Sequence, residues 1–133
     1  MHQPMFLRDA PFPGLLVVIR LGARTLEDQH LSRSCEETHG RWGVWGFSVL
    51  EVPHHDYAEL VRLRPFVAER RQVFEAHGPE LLSGGFALLP TLDHPHWTVV
   101  LSEPEPEQFE AVRARFRGPI DNPAWAPGAG GIR

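Results

Sequence analysis

The sequence predicts an α+β fold with a small mixed or largely antiparallel sheet and two to three helices, in the order β-α-β-α-β-β-α. Three observations carry that expectation. Short apolar runs at residues 15–21, 84–89 and 96–101 are bounded by Gly and Pro, as strands are. Between them lie stretches with apolar residues at helical spacing, such as Phe109, Val112 and Phe116. Strands and helices are interleaved without the regular alternation of a doubly wound α/β sheet.

Residues 1–13 carry three prolines and little periodicity, and read as an irregular arm. The run Leu15-Leu16-Val17-Val18-Ile19-Arg20-Leu21 reads as a buried strand ended by Gly22. Thr25 is the expected N-cap of a helix to about Cys35, with Asp28 at the third helical position. A second strand is expected over 45–52, broken by Pro53. Asp56 is placed to cap a helix carrying Leu60, Val61, Leu63, Phe66, Val67, Val73 and Phe74. Pro65 should split or kink that helix, and His77-Gly78-Pro79 should end it. A turn over 90–95 separates the strands 84–89 and 96–101. A last helix spans 106–116, and 118–133 reads as an extended or flexible tail rich in Pro and Gly.

The 133 residues make one domain of 1–133, and a 42% hydrophobic share is enough for one core. The net charge of −4 argues against strong non-specific nucleic-acid binding, although Arg62, Arg64, Arg70 and Arg71 leave room for a local patch. Every one of the thirteen basic residues is arginine. Schiff-base and P-loop lysine chemistry are therefore excluded. The single cysteine, Cys35, has no internal disulfide partner, and a reducing cytoplasm is the expected compartment. The apolar run near the N-terminus is too short for a signal h-region or a membrane span, so no membrane partner is expected.

The densest local signal is His39-Gly40-Arg41-Trp42-Gly43-Val44-Trp45-Gly46-Phe47-Ser48. Three glycines among three aromatics suit a backbone that approaches a flat ligand. They equally suit a tight turn with aromatics in the core. Eight histidines are present, and His94 and His96 stand two apart, the spacing of a metal pair on a strand. Pro95 between them allows the alternative of two turn residues, and no metal is the leading expectation. Cys35 near Glu36, Glu37 and His39 reads as a structural thiol rather than a nucleophile.

Two family resemblances follow from these residues. The order Arg20-Leu21-Gly22, helix, Trp45-Gly46-Phe47-Ser48 resembles the ADP-ribosyltransferase group. Gly40-Arg41-Trp42 followed by Gly46 and Ser48 looks like the Gly-Arg-Trp segment of the RES-domain toxins. The resemblance implies a small NAD-consuming transferase or NAD glycohydrolase, a toxin of a toxin–antitoxin pair, with NAD as substrate. It implies a protein partner, either an antitoxin or a modified target. On this reading Arg20, Gly22 and Arg41 bind the cofactor, and Trp42, Trp45, Gly46 and Phe47 wall the nicotinamide. Ser48 supports the pocket, and Glu103 or Glu105 is the catalytic acid. The second resemblance is to the 2H phosphoesterases, through His30-Leu31-Ser32 and His96-Trp97-Thr98. It implies a phosphodiesterase or metal-dependent hydrolase using His96 and Thr98. A third reading is a non-catalytic protein-binding module. It expects Arg20, Ser48, Glu103 and His96 to point to different faces.

Overall fold

The computed structural model describes residues 3–5, 7–10 and 15–126. The fold is α+β, as the sequence predicts. The elements run β1 (Val17–Leu21), α1 (Asp28–Trp42), β2 (Trp45–Glu51), α2 (Tyr57–Leu63), β3 (Gln72–His77), α3 (Gly78–Ser83), β4 (Ala87–Leu89), β5 (His96–Leu101), α4 (Pro106–Arg113) and β6 (Arg117–Asp121). Among the described residues the strands form one sheet in the order β4-β5-β2-β1-β3-β6, with every pairing antiparallel. No helix among the described residues is long and apolar enough to cross a membrane.

Strand alternation divides the core in two. Val18, Phe47, Val49, Phe74, Trp97 and Val99 join Leu31 and Cys35 of α1 and Phe109 and Val112 of α4 in the larger cluster. Val17, Ile19 and Val73 point the other way, to Leu60 of α2 and Val67. Trp97, Phe47 and Ile19 are the largest wholly enclosed side chains. Their burial is worth about 1.5–3 kcal/mol each for residues of this type.

Four local expectations are corrected. First, α1 does not stop near Cys35 but continues to Trp42, so the first four of the ten residues in the glycine-aromatic stretch are helix. It ends at Gly43, whose φ of 81° is the left-handed cap, with its N–H donating to His39 O at 2.8 Å. Second, Thr25 is not the N-cap. Its hydroxyl donates back to Gly22 O at 3.1 Å, and the cap position belongs to Glu27, whose side chain bonds Arg24 instead. Third, Val73 and Phe74 are on a strand. The helix stops at Leu63 because Arg64 precedes Pro65 and cannot stay helical. A 3-10 turn, Pro65–Glu69, then leads into β3, which pairs with β1 over five residues. His77-Gly78-Pro79 consequently starts a helix rather than ending one. Fourth, the tail expected from 118 contributes β6, pairing Val73 with Ile120 and Glu75 with Arg117. Pro119 is tolerated there because β6 is an edge strand. Residues 127–133 lie outside the described residues.

The cap at Asp56 is as expected, its carboxylate accepting from Ala58 N at 2.9 Å. The strand at 96–101 also falls where expected. Of the arm, Leu7 forms a bridge to Thr91.

Candidate functional site

The ladder between β1 and β2 is short. It pairs Val18 with Glu51 and Ile19 with Leu50, and then stops. Beyond that point β1 stays with β3 through Arg20–Phe74 and Leu21–Val73, while β2 stays with β5 down to Trp45–Leu101. The two central strands therefore splay apart, and the Arg20 side chain fills part of the split. Its guanidinium donates to Ser48 O at 2.9 Å, Thr25 O at 3.2 Å and Ser34 Oγ at 3.0 Å, and lies 5.1 Å from the centre of the Phe47 ring. Burial lowers its pKa to about 10, so it stays charged at neutral pH.

The splay leaves a cavity of about 350 Å³ lined by Ile19, Arg20, Leu21, Thr25, Ser48, Val49, Leu50, Phe66 and His96. A smaller groove of about 130 Å³ is lined by Glu37, Thr38, Arg41, Trp42, Ser48, Leu92 and His96. Ser48 and His96 belong to both, so they form the wall between them.

These two side chains touch. Ser48 Oγ lies 2.9 Å from His96 Nε2. The register of β2 and β5, with Ser48 opposite Thr98 and Leu50 opposite His96, puts them diagonally across the ladder. His96 Nδ1 lies 2.9 Å from Thr91 Oγ1 and 3.2 Å from Thr91 O. A carbonyl only accepts, so this contact assigns the proton to Nδ1 and leaves Nε2 as the acceptor for the Ser48 hydroxyl. Thr91 Oγ1 is also 2.7 Å from Thr98 Oγ1, and both threonines are buried. The result is a chain Thr98–Thr91–His96–Ser48 that fixes the imidazole tautomer and aims it.

Burial lowers the His96 pKa, and Arg8, Arg41 and Arg64 push it further the same way, against the hydrogen bond to Thr91. The ring is therefore neutral at pH 7 and able to take a proton. Arg8 acts through geometry as well. Coming from the arm, its Nη1 donates to Thr91 O at 2.8 Å and to His96 O, and its guanidinium lies 5.3 Å from the Trp97 ring centre.

The predicted site residues separate into groups. Arg20, Ser48 and His96 meet at one cavity, and Arg41 and Trp42, stacked at 4.6 Å, line the groove beside it. Glu103 and Glu105 do not join them. They line a different depression of about 340 Å³ with Ser102, Glu107 and Gln108, beyond the far end of β5. Phe47 is corrected from pocket wall to core: it is wholly buried and packs on Phe116. Trp45 is half-buried against the same core and stacks on His39 at 3.7 Å. Gly46 is needed for close approach, but to a neighbouring strand. A Cβ there would lie 2.5 Å from Val99 O and 2.9 Å from Thr98 Cγ2. Gly22, with φ 100°, makes the turn after β1. Thr98 supports from behind rather than facing the cavity. His94 does not face the cavity of its neighbour: its Nδ1 stands 3.8 Å from Glu51. Among the described residues no group of three or more His, Cys, Asp or Glu stands close enough to hold a metal. Cys35 is buried, and that burial pushes its thiol up to about 11.

Thr91, Arg8 and Phe66 escape sequence reasoning. Arg8 reaches His96 across 88 residues, Thr91 meets it across the turn five residues away, and no local pattern marks any of the three. Comparison of the chain with family models, curated proteins and solved structures finds no match.

Proposed function

We propose that this protein is a hydrolase of anionic esters, with phosphodiesters as its substrate class. Ser48 is the nucleophile and His96 the general base. The observation that carries this reading is the 2.9 Å contact of Ser48 Oγ with a neutral, tautomerically fixed His96 Nε2. Arginine supports the choice of an anionic substrate. Arg41 lines the groove on one side of Ser48, Arg20 places a fixed positive charge close to the other with its nitrogens donating to protein acceptors, and Arg8, Arg41 and Arg64 act on His96 electrostatically, in a chain whose net charge is −4.

In the first step Ser48 Oγ attacks phosphorus as its proton passes to His96 Nε2. The P–O bond to the leaving alcohol breaks, and that oxygen takes the proton from His96. Water then attacks the phosphoserine, again giving its proton to His96, and the monoester leaves as Ser48 is reprotonated. Thr91 and Thr98 keep the ring aligned throughout, in the place a carboxylate takes in a Ser-His-Asp triad.

Turnover of bis(p-nitrophenyl) phosphate tests the reading. Release of nitrophenol that disappears in both Ser48→Ala and His96→Ala supports it. Turnover indifferent to Ser48 refutes it.

A second reading is NAD cleavage with release of nicotinamide. One arrangement favours it: Glu37 shares a groove with Trp42, Arg41, Ser48 and His96, so a carboxylate and an aromatic side chain line one depression. That role passes to Glu37 from Glu103 and Glu105. Nicotinamide release that depends on Glu37 but not on His96 would select this reading over the hydrolase.

A further inference from the structure

The cavity beside Ser48 differs in chemistry from the groove on its other side. Its hydrocarbon wall is made by Ile19, Leu21 and Leu50 from the splayed strands and by Phe66 from the 3-10 turn before β3. Phe66 is 46% exposed, unlike the wholly buried Val67 beside it. Its ring lines the cavity instead of joining either core cluster.

Apart from Ser48 and His96, which face the reacting group, the polar side chains around this cavity already have partners. All three Arg20 nitrogens donate to Thr25 O, Ser48 O and Ser34 Oγ, and the Thr25 hydroxyl donates to Gly22 O. A hydroxyl-rich group placed there would give up its water contacts with little in return. An aryl or branched alkyl group would lose nothing and would cover Phe66. The groove, by contrast, presents Arg41 stacked on Trp42 with Glu37 alongside.

Resting on the Ser48–His96 reading, we propose that the substrate is a phosphodiester with one apolar substituent, aryl or compact alkyl. That substituent occupies the cavity against Phe66, Leu50 and Leu21, with the phosphoryl group at Ser48. The volume, about 350 Å³, lies near the lower end of ligand sites and suits a single ring rather than a dinucleotide. Phe66 and Leu50 are then the residues that set specificity.

The test uses the whole chain and compounds that cannot be hydrolysed. Phenylphosphonate and methylphosphonate are titrated into the wild-type protein and into Phe66→Ala, with binding read by calorimetry. Phenylphosphonate should bind the wild type at least about tenfold more tightly, from the ring area removed from water. Phe66→Ala should cut that advantage to about threefold or less while leaving methylphosphonate affinity unchanged. Phe66 belongs to neither core cluster, so the variant should keep its thermal midpoint and remain a valid comparison. Equal affinity for the two compounds, or no binding of either, overturns the proposal. Phe66-dependent phenyl preference without any turnover by Ser48 would retire the hydrolase and keep the apolar subsite. Ser48-dependent turnover without phenyl preference would do the reverse.

Discussion

His96 Nε2 receives the Ser48 hydroxyl while His96 Nδ1 is tied to Thr91, so the two faces of one imidazole have opposite jobs. The base points forward because the proton is held behind. His96→Ala should therefore lower turnover by about 10² to 10⁴-fold, the range for loss of a positioned base. Thr91→Val keeps the backbone carbonyl that holds the Nδ1 proton and removes only the hydroxyl that links the ring to Thr98, so it should loosen the ring without changing its tautomer, costing less than His96→Ala and more than a change at an exposed site. Steady-state rates of the two variants against one substrate check the order.

The acidity of His96 sets a pH window. Its pKa is held below 6.5 by burial, so the acid limb of activity should have its midpoint below that value and level off toward neutral pH. Stability follows the same sign. The unfolded chain binds the proton more readily, so the contribution is whole above 6.5 and is lost as pH falls toward the folded pKa. A pH–rate profile and midpoints of urea unfolding between pH 4.5 and 7.5 should bend in the same interval.

Arg8 straps the site from the arm. Arg8→Met removes the donor to Thr91 O and His96 O, which should cost about 1–3 kcal/mol of stability as two part-buried carbonyls lose a charged partner, Thr91 O keeping its contact with His96 Nδ1. It also removes a cation that holds the imidazole neutral, so the His96 titration seen by NMR should move upward. A His96 titration unchanged in Arg8→Met would sever the arm from the site.

Gly46→Ala should be expensive although the change is small. The new methyl would sit 2.5 Å from Val99 O, in the pairing of β2 with β5 that aligns Ser48 and His96. A loss of about 1–3 kcal/mol is expected from overpacking, measured by chemical unfolding. Cys35, by contrast, should be inert. With its thiol near 11 and no exposure, it should resist alkylation at pH 8 until the protein unfolds.

What the sequence reveals here depends on how local the cause is. The strand at 96–101 is legible because its apolar run is bracketed by Pro95 and Ser102. β3 is not, because Val73 and Phe74 continue a helical spacing that only the ladder to β1 overrides. The glycine-aromatic stretch has a real constraint at Gly46, but the nearby backbone is β5 rather than a ligand. Arg20, Ser48 and His96 were separately identifiable as chemistry-bearing residues. Their convergence was not, since it depends on β1 and β2 parting after Ile19 and Leu50. Glu103 looked equally suitable by type and lies elsewhere because β5 runs away from the cavity before reaching it.

The most direct measurement is covalent trapping of the nucleophile. The intact protein is treated with a phosphonofluoridate at pH 7.5, and the adduct is located by peptide mass spectrometry. One phosphonyl group on Ser48, absent after His96→Ala, is the predicted result. No adduct at Ser48, or an adduct that forms as fast without His96, would contradict a serine activated by that histidine.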